Sequence, residues 1–240
     1  MTRPVCGRFR RSLYVILSLL LFIALASCCP IFKNPIPPPA ELKADPQILG
    51  TWVRTYKVNQ SEYKEQLSIF SRSNGWIDVV WIYDIDKKES IDGVSLLVLE
   101  GYSASVNKQR FLCLRLRERD FNWAGQKNHS WTDEEAGGLR STKNWIIANY
   151  EAPTNDKLVI KPFSTHRVKE LIEKRKLKGE VKKKELFGKP EPQLDAVTVT
   201  SSSEELTEVI SREGAGAFIW QDTDDDLRDM YILVFKKLGK

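Results

Sequence analysis

Five apolar side chains stand at every second position between residues 76 and 85: Ile77, Val79, Trp81, Tyr83 and Ile85. Asp78 and Asp84 lie between them. A period of two is the signature of a strand with one buried face and one wet face. The same pattern returns at 109–118, where Leu112, Leu114 and Leu116 alternate with Arg115 and Arg117. Strand-like runs also occupy 51–57, 66–71, 94–104, 144–150, 157–162, 180–186, 195–200 and 230–236. Ser73-Asn74-Gly75, Val106-Asn107-Lys108 and Asn155-Asp156 supply the turns between neighbours. Two segments read as helices. Ser164/Thr165 can cap one that carries Val168, Leu171, Ile172 and Leu177 and ends at Gly179. Ser202 and Glu205 form a capping box for the other, with Gly214 as its stop. The expected fold is mainly β (α+β): an antiparallel β-barrel or strongly curved meander of about ten strands, with two short helices near the C-terminal end. Closure removes sticky sheet edges, which favours the barrel. Residues 119–143 read as a long loop.

The N-terminus has a different grammar. Arg3, Arg8, Arg10 and Arg11 open the chain, and an apolar run broken only by Ser18 follows from Leu13 to Leu25. A basic start, a short apolar stretch and small residues make an export signal. At about 13 residues the run falls short of the ~20 that a membrane-spanning helix needs. The tetrad Leu25-Ala26-Ser27-Cys28 resembles the lipobox of bacterial lipoproteins. That resemblance implies cleavage before Cys28 and acylation of its thiol, so that residue 28 begins the mature chain. It also implies a place in the bacterial cell envelope. Cys29 follows the lipidated position where an aspartate would favour inner-membrane retention, which implies the outer membrane, facing the periplasm in a Gram-negative host. Acyl burial at ~0.8 kcal/mol per CH₂, with more than one chain, makes a stable anchor.

Three parts result: a cleaved signal (1–27), a lipidated proline-rich tether (28–45) and one β-rich domain (46–240). Pro30, Pro35 and Pro37-Pro38-Pro39 favour an extended polyproline spacer in the tether. The charge changes meaning once the signal is set aside. The 240-residue chain is formally +5, but residues 1–27 hold four arginines and no acid, which leaves 33 basic against 32 acidic side chains. A nucleic-acid partner is therefore not expected. Of the four cysteines, Cys6 leaves with the signal and Cys28 takes lipid; Cys29 and Cys113 remain as two thiols or one bridge.

The opening Gly50-Thr51-Trp52 resembles the start of lipocalin-like β-barrels. The resemblance implies that a short turn precedes the motif, that Trp52 plugs the barrel floor, and that Lys236 or Lys237 of the last strand packs over its ring. The two late helices depart from that family, whose members carry one. The C-terminal half is also similar to uncharacterised bacterial envelope lipoproteins, a likeness that implies no activity.

Chemistry is sparse. No GxSxG, HExxH, P-loop or GxGxxG occurs, and His129 and His166 are the only histidines. His129 lies among Asp133, Glu134 and Glu135 in a polar stretch and has no second histidine nearby. Asp222-Thr223-Asp224-Asp225-Asp226 starts like a calcium loop, but Leu227 and Leu233 stand where glycine and glutamate are required. Neither a metal nor another cofactor is expected beyond the acyl lipid on Cys28. Residues 161–189 carry eleven Lys/Arg against four Glu. Lys174, Arg175, Lys176, Lys178, Lys182, Lys183 and Lys184 form the densest part, a candidate patch for anionic surfaces. Trp81 and Tyr83, on one strand face, are candidates for lining a ligand pocket. The expected function is a lipid-anchored, non-enzymatic module. It would bind a small apolar ligand or an envelope partner, and meet the membrane through its anchor. An enzyme with a dispersed site and a pocketless assembly accessory are the alternatives.

Overall fold

A computed structural model describes residues 29–58, 61–83, 95–117, 143–183, 185–186, 189–190, 195–220 and 232–239. Eight strands close an antiparallel barrel: β2 (Gly50–Val58), β3 (Ser61–Ser71), β4 (Ile77–Tyr83), β5 (Ser95–Val106), β6 (Gln109–Leu116), β7 (Ile146–Thr154), β8 (Lys157–Pro162) and β13 (Leu233–Lys237). Neighbours follow chain order from β2 to β8. The last strand then closes the ring, pairing Leu233 with Ile160 on one side and Lys237 with Trp52 on the other. Described parts of the chain between β8 and β13 pack on the outside of the wall. This stretch supplies α1 (Thr165–Glu173), β9 (Gly179–Lys182), the short ribbon of β10 (Glu185–Leu186) and β11 (Lys189–Pro190), β12 (Ala196–Val199) and α2 (Ser203–Glu213).

Local sequence explains the joints. The β5–β6 hairpin turns on Asn107 and Lys108 at φ 49° and 65°, the left-handed pair that a two-residue hairpin needs. The Ser202–Glu205 capping box is formed in both directions, and Gly214 ends α2. The first helix is shorter than the spacing suggests. It stops at Glu173 because Arg175 turns left-handed (φ 56°). The Arg175 N–H then donates to the Ile172 carbonyl and the Lys176 N–H to that of Leu171. That is a Schellman closure, which leaves Leu177 to fold back as a buried plug.

Two apolar cores share the barrel wall. Inside lie Trp52, Leu67, Ile69, Val79, Leu112 and Phe235 among others, each at most 2% exposed. An eight-stranded barrel is just wide enough for such side chains to fill. The outer face of β5–β7 is also apolar, through Tyr102, Ala104, Phe111, Cys113 and Ile147. Val168 and Leu171 of α1, Leu206 and Ile210 of α2, and Val197 and Val199 of β12 cover it. Fully burying each large apolar side chain is worth ~1.5–3 kcal/mol, so this second layer is part of the fold.

The proline-rich segment differs from its expected form as a free spacer. Residues 31–32 form β1 (Ile31–Phe32), which pairs in parallel with β12 in the order β1–β12–β9. Phe32 exchanges backbone hydrogen bonds with Trp145 at 2.9 and 2.8 Å. Phe32 and Ile36 are buried in the outer core, while Pro37, Pro38 and Pro39 are exposed. Leu42 lies on Gly75, where an added Cβ would stand 1.9 Å from the Leu42 carbonyl oxygen. Three apolar side chains outweigh the prolines, and residues 31–36 pack on the body expected to begin at residue 46.

Candidate functional site

The two ends of the barrel interior are built differently. At one end Trp52 is fully buried and its indole N–H donates to the Ile48 carbonyl at 2.7 Å. The Lys237 ammonium sits 5.1 Å from the Trp52 ring centroid, within cation–π range. Lys236 is exposed on the other face of the strand. Gly50 (φ 120°) makes room: a Cβ there would come within 3.1 Å of the Lys237 side chain. Nearby, Asp45 accepts from the Tyr150 hydroxyl at 2.9 Å and from Arg110 at 3.0 Å. Burial, reinforced by the Asp45 carboxylate, pushes the Tyr150 phenol above its ordinary value. This end is sealed.

The other end holds a charge pair among aromatics. Arg54 on β2 stands opposite Glu65 on β3. Their side chains are 7% and 4% exposed. The guanidinium donates from Nε and Nη2 to the two carboxylate oxygens at 2.9 and 3.2 Å, a two-point contact. The Trp81 indole N–H donates to the same carboxylate at 3.2 Å. The Arg54 guanidinium lies over Tyr56, 4.2 Å from its centroid, and 5.7 Å from that of Phe235. Tyr56 stacks on Tyr63 at 5.5 Å. Burial and then the Glu65 carboxylate raise the Tyr56 phenol above its usual value. Trp81, Leu97, Leu114, Tyr56 and Tyr63 are only half-buried, unlike the sealed floor. Chemically this end can take an apolar body against Trp81, Leu97 and Leu114 and orient a polar head by the Arg54–Glu65 pair.

Of the sequence candidates, Trp81 belongs to this cluster. Tyr83 is the last residue of β4, in register with Glu65. Among the described residues the cationic stretch is divided between two ends of β9. Lys174 pairs with Glu170 at 3.3 Å, Lys176 with Glu213 at 2.7 Å, and Lys178 with Glu205. The lysines hold the Glu205 and Glu213 carboxyls below the usual range. Arg175 is exposed in the same turn. Lys182 and Lys183 are exposed at the opposite end of β9, about 10 Å away along the strand. Cys29 and Cys113 are not bridged to each other, and burial pushes the Cys113 thiol up to about 12. Cys28, His129, the Asp222–Asp226 run, Lys184 and most of 119–143 lie outside the described residues. Among the described residues no cluster of metal-binding side chains occurs, and no helix is long and apolar enough to cross a membrane.

Arg54, Glu65, Tyr56 and Tyr63 escaped the sequence reading, which looked for apolar positions on inward faces. A readable signal existed. Arg54 and Glu65 are equally distant from the Asn59-Gln60 loop, so a tight hairpin places opposite charges face to face. A second polar cluster lies outside the wall. Arg72 binds Asp78 and Glu100, Arg115 binds Glu100, and Arg117 reaches Asp78 at 3.4 Å. Arg115 is flanked by Trp76 and Trp145, each ring centroid 5.1 Å away. Its charges are mutually satisfied, as in a wall-stabilising network. Compared with protein-family models, curated proteins and solved structures, the chain matches none.

Proposed function

We propose that this chain is a lipid-anchored bacterial envelope protein whose lipocalin-like barrel is a non-enzymatic binding module. Its ligand is a small amphiphile, with its apolar part in the half-buried end of the barrel and its polar head at Arg54 and Glu65. The lipobox-like Leu25-Ala26-Ser27-Cys28 supports the anchor and, with Cys29 next to it, an outer-membrane, periplasm-facing location. One observation carries the binding reading: a buried two-point Arg54–Glu65 pair beneath half-buried aromatics, opposite a floor closed by Trp52. Buried ion pairs are poor stabilisers compared with well-packed apolar side chains. A polar pair in an otherwise apolar interior is therefore what a ligand-orienting site requires.

The test is a titration with 1-anilinonaphthalene-8-sulfonate, an apolar anion. The mature protein should bind it in the micromolar range, and Trp81→Ala should weaken binding by about tenfold, ~1.4 kcal/mol. Lys237→Met, at the floor, should leave it unchanged. Equal binding by the Trp81 variant, or loss only with the floor variant, overturns the assignment.

A further inference from the structure

The docked N-terminal segment changes how the protein meets its membrane. We infer that the body rests directly on the bilayer that holds its anchor, with Lys182 and Lys183 against anionic phospholipid headgroups. The inference rests on the lipid-anchor reading of Cys28. Ile31 is paired to Thr198 and Phe32 is fully buried, so the chain is tied to the body at residues 31–32. Three residues reach at most about 10 Å, so an acyl group on Cys28 holds the body within that distance of the headgroups. A free spacer over residues 28–45 would have allowed several times more.

Strand direction then selects the face. β1 runs parallel to β12, and β12 runs antiparallel to β9, with Ala196 opposite Lys182. The anchor end of β1 therefore shares one sheet edge with Ala196 and Lys182, two strand spacings or about 10 Å away. Lys182 and Lys183 are exposed there. Among the described residues no carboxylate pairs with either, whereas Lys174, Lys176 and Lys178 at the far end are each engaged. Among the described side chains the acids near this edge are Asp195, which binds Lys169 at 2.7 Å, and Glu180, which lies two residues farther along β9. Two exposed cations within about a Debye length (~8 Å) of a headgroup layer are attracted by anionic lipid and released by salt.

The test is amine footprinting of the full mature protein, extracted from its own host and placed in phosphatidylcholine vesicles with or without phosphatidylglycerol. Lys182 and Lys183 should acetylate ~5-fold more slowly with phosphatidylglycerol, the factor that ~1 kcal/mol of headgroup attraction makes. High salt should remove the difference. Lys57, on the opposite wall of the barrel, should label equally in both. The same digest reports the N-terminal peptide. An acylated Cys28 with equal labelling of Lys182 and Lys183 in both vesicles overturns the apposition and leaves the anchor standing. A Cys28 without acyl groups overturns the anchor, and this inference with it.

Discussion

Removing one charge from the barrel interior should cost far more than removing both. Arg54 and Glu65 are almost fully enclosed, at 7% and 4% side-chain exposure, and hold each other through two hydrogen bonds. In Glu65→Leu the guanidinium keeps the faces of Tyr56 and Phe235 but loses its carboxylate, so the buried charge loses its counter-charge. Breaking such a pair costs ~3–5 kcal/mol. At about 2–4 °C per kcal/mol for a chain of this size, that is a fall in Tm of roughly 6–20 °C. The double variant Arg54→Met/Glu65→Leu keeps the volume and removes both desolvation costs, a gain of ~1–4 kcal/mol. It also removes the Glu65 acceptor of the Trp81 N–H, a loss of ~1–3 kcal/mol. The balance puts the double variant between about 2 kcal/mol less and about 3 kcal/mol more stable than wild type. Urea denaturation of the wild type, both single variants and the double variant gives the cycle. The two single costs should sum to at least ~3 kcal/mol more than the double cost. A double variant as unstable as that sum refutes the reasoning, because the pair would then stabilise the barrel through independent contacts.

Gly75→Ala forces a Cβ against the Leu42 carbonyl at φ 80° and should cost at least ~2 kcal/mol, with faster hydrogen exchange in 36–44. Unchanged exchange there would mean that Leu42 does not rest on this hairpin. The Arg72 guanidinium holds the Asp78 carboxyl below its ordinary value. The folded protein thus binds fewer protons there than the unfolded chain. This stabilisation is complete above about pH 4 and fades as the pH falls through the folded value. Asp78→Asn should therefore be ~1 kcal/mol less stable at pH 7, and the gap should shrink as the pH falls below about 4; a gap that does not change with pH contradicts this. With its thiol pushed up to about 12, buried Cys113 should resist iodoacetamide at pH 8 until urea unfolds the chain. Alkylation of native protein at Cys113 would show that the outer layer opens.

The barrel wall was legible because its signals are local. Alternation at Ile77, Val79 and Trp81 survives in the structure as one inward face, with Asp78 outside. The Ser202–Glu205 box marks its helix to the residue. What was missed depends on two surfaces at once. β6 carries Phe111 and Cys113 outward as well as Leu112 and Leu114 inward, so it is buried on both faces. Alternation detects only one of them. The docking of Ile31, Phe32 and Ile36 was masked by prolines, which fix φ but do not keep neighbouring apolar side chains from packing. The mouth cluster follows from register, since Arg54 means little until Glu65 is known to face it. Within the cationic run Lys176 and Lys178 meet Glu213 and Glu205, acids on a helix distant in sequence, which the run alone does not show.

Native mass spectrometry of the mature protein, extracted from its own host's membranes, tests the binding account most directly. The prediction is a chain that starts at an acylated Cys28 and carries one noncovalent small-molecule adduct. That adduct should be absent from the Arg54→Met/Glu65→Leu variant prepared in the same way. A wild-type mass with no adduct, or an adduct kept unchanged by the variant, contradicts the claim that this end of the barrel holds a ligand.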